Sequence, residues 1–135
     1  MLTLEFVLIA PLLLVLVLAG VEFAAWLMAT QAVSAAACVG ARAASVTDAT
    51  LATVEAAVAQ ALDDWKFGQA IDPVAIKVTN QVGDMSTDLA DAQTGDMVKV
   101  IVSVDVVDAV PDLLNFFGVL LSGEKLTASC VARKE

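Results

Sequence analysis

The sequence contains no histidine and no tyrosine among its 135 residues. Histidine is the side chain most often used as a general base and as a metal ligand, so its absence removes the simplest catalytic and metal sites. Lysine and arginine are also scarce, because no cation precedes Arg42 and the seven cations form no basic patch that would suit a phosphate backbone. The composition therefore predicts neither an enzyme nor a nucleic-acid-binding protein.

The acidic residues that give the chain its net charge of −9 show no catalytic arrangement. No nucleophile or basic partner accompanies the acidic pairs, and the glycines form no phosphate-binding motif. Four aspartates in the polar segment 81–95 and just beyond it offer a calcium site as an alternative, but they lack the one-three-five spacing of a calcium loop; they are Asp84, Asp88, Asp91 and Asp96. We therefore predict a solvated acidic loop, with no metal and no cofactor.

The N-terminus is a long apolar segment. From Leu2 to Val21 it provides about 20 residues, or ~30 Å of helix, which is enough to span a bilayer. No basic residues precede it, so it lacks the pattern of a secretory signal. A plain membrane anchor is the simplest interpretation. Glu5 and Glu22 argue that it is incomplete, because a carboxylate exposed to lipid is costly and usually functional.

The order of residues in this segment resembles a known family. Glu5 follows a four-residue opening as in type IV pilins, and the string LEFVLIAPLL is similar to the N-terminal motif of TadE-like pilus proteins. These are pseudopilins of the tight-adherence branch of type IV pili. Their motif has an acidic-aromatic pair, a proline, a leucine-rich run and a second acidic-aromatic pair, and these slots are filled by Glu5-Phe6, Pro11 and Glu22-Phe23. The segments 40–45 and 126–135 resemble the end of the family's first helix and its final strand.

The resemblance implies a subunit that assembles through its N-terminus. Met1 would be a processed terminus whose amine pairs with Glu5 of an adjacent copy; the alternative is that Met1 is the initiator residue. The expected assembly residues are Met1, Glu5, Phe6, Pro11, Glu22 and Phe23. The implied partners are other pilin copies, the inner membrane before assembly, the prepilin peptidase and the pilus assembly machinery. The implied destination is an extracellular pilus.

The remaining sequence predicts an α+β fold. A first helix is expected from about Thr3 to Ala44, and the cap-type residues at 45–48 should break it. Apolar residues at helical spacing then predict a second helix at about 48–66; they are Leu51, Val54, Val58, Leu62 and Trp65. The alternative is one unbroken helix that includes residues 51–66. The predicted division places a membrane anchor or filament core at 1–44 and a globular head at 45–135.

Three segments with a period of two predict strands at about 73–80, 97–107 and 125–133. The clearest alternation has valine at every second position from Val98 to Val106. We therefore expect a three-stranded antiparallel sheet packed on helix. The apolar segment 111–121 is expected to be a short connecting helix tucked against the sheet. Its alternative is a hydrophobic contact for another subunit, formed by Phe116 and Phe117.

Cys38 and Cys130 are the only thiols. For a chain exported from the cytoplasm, two cysteines favour a disulfide, which here would tie the last strand to the first helix. The alternative is two buried free thiols. The function predicted is a structural subunit of a type IV or Tad-like pilus. The alternatives are a minor pseudopilin that primes or tips another pilin's filament, and a membrane-anchored periplasmic adaptor that never polymerises.

Overall fold

The computed structural model of the chain describes residues 2–63, 75–79, 85–86, 88–105, 115 and 125–135. Within these residues, two helices precede four strands, and a 3-10 turn at Leu89–Asp91 lies between the second and third strands. In chain order the helices and strands are α1 (Leu2–Ser45), α2 (Leu51–Asp63), β1 (Ala75–Thr79), β2 (Met85–Ser86), β3 (Met97–Asp105) and β4 (Lys125–Arg133). The predicted long helix, second helix and small antiparallel sheet are confirmed.

The two helices are separated by a sharp turn. Asp48 has a φ of 65°, a left-handed conformation that a continuing α-helix does not allow. The new helix begins with reciprocal bonds between two threonines, in which the Thr53 amide donates to the Thr50 hydroxyl and the Thr50 amide donates to the Thr53 hydroxyl. This arrangement works as a capping box, since each side chain satisfies a backbone donor at the helix start. The alternative of one unbroken helix is therefore wrong.

The sheet has the strand order β2-β1-β3-β4, and every neighbouring pair is antiparallel. β3 and β4 pair over their whole length, from Met97 opposite Arg133 to Asp105 opposite Lys125. The predicted number of three strands is wrong. Two strands, β3 and β4, are long, whereas β1 has five residues and β2 only two. β2 lies inside the segment that we expected to be loop, because a two-residue strand has no alternation for the sequence to display.

The core lies between one face of the sheet and the C-terminal half of α1. The inward valines of β3 are fully buried, as their alternation predicts; they are Val98, Val100, Val102 and Val104. α2 packs beside α1 through Val54, Val58 and Leu62, which are also fully buried. Trp65, Val106 and the segment 111–121 with Phe116 and Phe117 lie outside the described residues, apart from the exposed Asn115. The connecting helix and the subunit contact proposed for that segment therefore stay predictions.

Candidate assembly surface on the N-terminal helix

The first half of α1 has almost no contact with the rest of the chain. Every side chain from Glu5 to Val21 is exposed or half-exposed, and the large apolar ones are open on all sides of the helix; Phe6 is 72% and Leu8 75% exposed. A helix that is apolar all round is stable only inside a bundle or a membrane. By length and composition α1 is able to cross a membrane. We call residues 5–21 the bare segment of α1.

Three predicted assembly residues lie at the start of this bare segment. Glu5, Phe6 and Pro11 are all exposed, and Glu5 has no partner within the part of the chain that the structure describes. α1 continues through Pro11, although proline removes one amide donor and its ring crowds the preceding turn. Met1 lies outside the described residues, so its pairing with Glu5 stays a prediction.

The second half of α1 carries a continuous stripe of small residues against the head. The stripe follows helical spacing and consists of Ala29, Ala32, Val33, Ala36, Ala37, Gly40, Ala41 and Ala44. Gly40 marks its tightest point, because a Cβ there would lie 2.6 Å from Val58 Cγ2 of α2 and 3.1 Å from Val100 Cγ1 of β3. No side chain fits between these elements, so three parts of the fold meet at one glycine.

Glu22 lies about two helical turns before Ala29, the first residue of this stripe, and is only 6% exposed. Both of its carboxylate oxygens are buried, and neither has a hydrogen-bond partner among the residues that the structure describes. Such a group is expensive, since burial removes water and nothing replaces its hydrogen bonds. The sequence singled out Glu22, but its apolar neighbours gave no reason to expect that the head would cover it.

Two aromatic side chains stand beside Glu22 where the bare segment ends. The rings of Phe23 and Trp26 are stacked, with centroids 6.1 Å apart and planes inclined by 19°. Phe23 is 60% exposed and Trp26 37% exposed, so the pair offers an open aromatic surface. Phe23 was among the predicted assembly residues, whereas Trp26 was not. The i, i+3 spacing of the two residues is the signal that could have found the stack.

Cys38 on α1 and Cys130 on β4 come together across the helix–sheet contact, and both are half-buried free thiols. Cys38 lies well beyond the bare segment. The pKa of its thiol is raised, chiefly by a hydrogen bond with Cys130, then by burial and by the charge of the neighbouring thiol, while Arg42 opposes the shift. The predicted proximity is thus present, and the disulfide itself stays a prediction.

Lys134 and Glu135 cap the C-terminal end of α1. The Lys134 ammonium donates to the carbonyls of Ala44 and Val46, at 3.2 and 2.8 Å, and the Glu135 amide donates to the carbonyl of Ser45 at 2.9 Å. A cation here also meets the negative end of the helix dipole. This contact was not predicted, because no short-range sequence pattern relates residue 134 to residue 46.

The acidic loop uses its carboxylates for its own folding. Asp88 accepts a bond from the Ala90 amide, and Asp96 accepts one from the Gln93 amide at 2.8 Å. Among the described residues, no group of three or more acidic or thiol side chains is placed to hold a metal ion. Asp84 lies outside them. A cleft of about 480 Å³ beside this loop is lined by residues of the α1–α2 turn and by Lys134 and Glu135.

The apolar helix with its bare segment, its proline and its two acidic-aromatic pairs is also the part of the chain that known proteins share. Residues 1–42 match the TadE-like protein family. The resemblance inferred from the N-terminal motif is therefore confirmed over this segment, which lies almost wholly within α1. Comparison with curated proteins and with solved structures found no match.

Proposed function

We propose that the chain is a structural subunit of a Tad-like pilus filament and polymerises through α1. The observation that supports this most directly is the bare segment, whose apolar side chains have no cover within the subunit. An exposed apolar surface of this extent marks an interaction site. The same residues lie in the segment that matches the TadE-like family, which further supports the proposal.

Two environments in succession suit this helix. Before assembly the bare segment would sit in the inner membrane, where its apolar side chains contact lipid. After cleavage by the prepilin peptidase and transfer by the assembly machinery, which the family resemblance implies as partners, it would pack with other copies. Repeated head-to-tail contacts of one kind build an open helical filament. The head, which contains α2 and the sheet, would then face outward at the cell surface.

Glu5 is the residue to which we assign the registration of neighbouring helices. Its carboxylate is exposed and without a partner in the described residues, in the first turn of an otherwise apolar helix. The Met1 amine of an adjacent copy would donate a charge-assisted hydrogen bond to it, so that both charges are neutralised inside the bundle. Phe6 and Pro11 would then contact the same neighbour.

The test compares Glu5→Ala and Glu5→Gln with Glu55→Gln, a control that removes an exposed carboxylate from α2. Filaments sheared from cells are quantified by immunoblot against the amount of subunit left in the membrane. We expect both Glu5 variants to accumulate in the membrane and the Glu55 variant to assemble normally. Normal assembly of both Glu5 variants would show that the pairing is not needed.

Two further measurements distinguish the alternative functions. A minor pseudopilin would be present in purified filaments at a few copies per filament, whereas a main subunit would dominate their mass. A membrane-anchored adaptor would be absent from filaments and would keep an unprocessed N-terminus. The amount of the chain in purified filaments and in membranes gives its abundance, and its intact mass in both fractions shows whether the N-terminus is processed.

A further inference from the structure

The part of α1 that precedes the aromatic pair is long enough to cross the hydrocarbon core of a bilayer. From Leu2 to Val21, α1 provides about 20 residues, or ~30 Å of helix, which equals the thickness of the hydrocarbon region. The first fully buried alanine of the head contact is Ala29. Ala25 is already partly buried against the core, and Glu22 is only 6% exposed. Phe23 and Trp26 therefore lie at the edge of the head contact, next to the membrane-length segment.

The chemistry of this aromatic pair fits the boundary between lipid and water. Trp combines an apolar ring system with an N–H donor, and it is enriched where a helix leaves the hydrocarbon region. Here its ring is stacked on Phe23, and both rings remain partly open to the surroundings. Neither ring belongs to the buried core, so the fold of the head does not explain why they are aromatic.

The burial of Glu22 makes a lipid boundary next to Phe23 possible. A carboxylate one residue before Phe23 would oppose contact with lipid if it were exposed. Its side chain is instead 94% buried, with both oxygens covered. On a helix, residues 23 and 26 project to the same side of residue 22, at about 100° and 40° from it. Trp26 thus lies near the face of Glu22 and is 37% exposed, whereas Phe23 lies farther round the helix and is 60% exposed. Lipid can contact the open part of both rings at this edge while the Glu22 carboxylate stays covered.

We propose that the stacked Phe23–Trp26 pair is a lipid-surface anchor, which fixes the depth of α1 and seats the head directly on the membrane before assembly. The partner is the interfacial layer of a phospholipid bilayer. The proposal rests on the membrane-bound stage of the proposed function and adds where the membrane ends. It requires no leaflet-specific lipid, because the bare segment carries no cation.

Depth-dependent fluorescence quenching tests this in the full-length chain reconstituted into vesicles of phosphatidylethanolamine and phosphatidylglycerol. Trp65→Phe leaves Trp26 as the single tryptophan. Lipids brominated at shallow or at deep acyl positions then quench it according to its depth. A reference variant carries Leu14→Trp with Trp26→Phe and Trp65→Phe, which moves the reporter about twelve residues, or ~18 Å, toward the bilayer centre.

We expect Trp26 to be quenched at least about twofold more by shallow than by deep bromines, and the reporter at position 14 to show the reverse order. Deep quenching of Trp26, or none while position 14 is quenched, would overturn the anchor and leave the membrane-bound stage intact. A loss of quenching at Trp26 as the protein-to-lipid ratio rises would mean that a second copy covers the pair, which also overturns it. Absence of quenching at both positions would refute the membrane-bound stage itself.

Discussion

The Lys134 ammonium lies 2.8 Å from the carbonyl oxygen of Val46, and this bond joins the end of the last strand to the end of the first helix. Lys134 is only 8% exposed, and no carboxylate of the described residues lies within ion-pair distance of it. Its charge is satisfied by main-chain carbonyls, which are left without partners where an α-helix ends. The head is thus attached to α1 by polar contacts at this end and by the stripe of small residues below it.

Replacing Lys134 should loosen this end of the fold. Lys134→Met keeps much of the apolar stem but leaves the carbonyls of Ala44 and Val46 without their donor, so we expect a loss of about 1–3 kcal/mol in the free energy of unfolding. Lys99→Met is the control, because Lys99 lies on the exposed face of β3. Thermal and urea unfolding of the chain in detergent gives the difference. Equal stability of the two variants would show that the capping contact contributes nothing.

Gly40 and Gly20 provide a matched pair on one helix. In both, Gly→Ala should improve helix propensity by about 1 kcal/mol. At Gly20 a Cβ meets nothing within 4 Å, whereas at Gly40 it meets Val58 Cγ2 at 2.6 Å. We therefore expect Gly20→Ala to stabilise the chain or leave it unchanged, and Gly40→Ala to destabilise it by about 1–3 kcal/mol through overpacking. Unfolding midpoints of the two variants measure this.

The double variant Gly40→Ala with Val58→Ala identifies the cause of that loss. Val58→Ala alone should destabilise through the cavity that it leaves in the α1–α2 contact. If the clash is the reason, the two changes together should be less harmful than the sum of each alone, with a coupling of about 0.5–3 kcal/mol. Strict additivity would place the effect of Gly40→Ala elsewhere in the fold.

Much of the fold was predictable because its signals are local. The helical spacing of Val54, Val58 and Leu62 and the alternation of β3 each indicate a buried face, and the unbroken apolar run of α1 indicates a long helix. β2 was missed since it is too short to display a period. The strand count therefore depended on pairing between distant segments, which a single sequence does not display.

The residues of the candidate assembly surface were likewise predictable only in part. The sequence identified Glu5, Phe6, Pro11 and the Glu22-Phe23 pair, and the structure places the first three on the bare segment of α1. Burial of Glu22, the stacking of Phe23 on Trp26 and the capping by Lys134 all depend on how the head lies on the helix. Such contacts join residues that are far apart in sequence, or that depend on side-chain orientation, and no motif encodes them.

Oxidation should join Cys38 to Cys130. We expect the intact mass to fall by two hydrogens, and the free energy of unfolding to rise by up to about 4–5 kcal/mol, because the bond would close a long loop in the unfolded chain. The attacking species is the thiolate, and the raised pKa of Cys38 keeps that thiol protonated at neutral pH. The uncatalysed reaction should therefore be slow at neutral pH and should accelerate as the pH is raised, because the fraction of thiolate grows.

Cys38→Ala is the matched variant for this prediction. It should show no mass change under oxidant and an unfolding midpoint that does not respond to reductant. A wild-type chain that keeps both thiols after oxidation at high pH, measured by alkylation and mass, would contradict the bond. In that case the two cysteines act as small apolar residues of the helix–sheet contact.

Glu22 should lower the stability of the isolated subunit. Its two oxygens are buried without a hydrogen-bond partner in the described part of the chain, so Glu22→Leu, which fills a similar volume, should raise the free energy of unfolding by about 1–3 kcal/mol. Glu55→Leu is the control, because Glu55 is an exposed carboxylate on α2, and its replacement should change stability by less than about 0.5 kcal/mol. Thermal unfolding in detergent compares the two.

Measuring filament assembly in the same variant shows whether Glu22, which should destabilise the isolated subunit, is needed for assembly. If a neighbouring copy supplies hydrogen bonds to the Glu22 carboxylate in the filament, Glu22→Leu should give a more stable subunit but fewer filaments. Glu22→Gln should recover part of the assembly, because its amide keeps one acceptor oxygen. A Leu variant that is both more stable and fully assembled would show that Glu22 is not an assembly residue. A less stable one would contradict the unpaired burial from which the prediction starts.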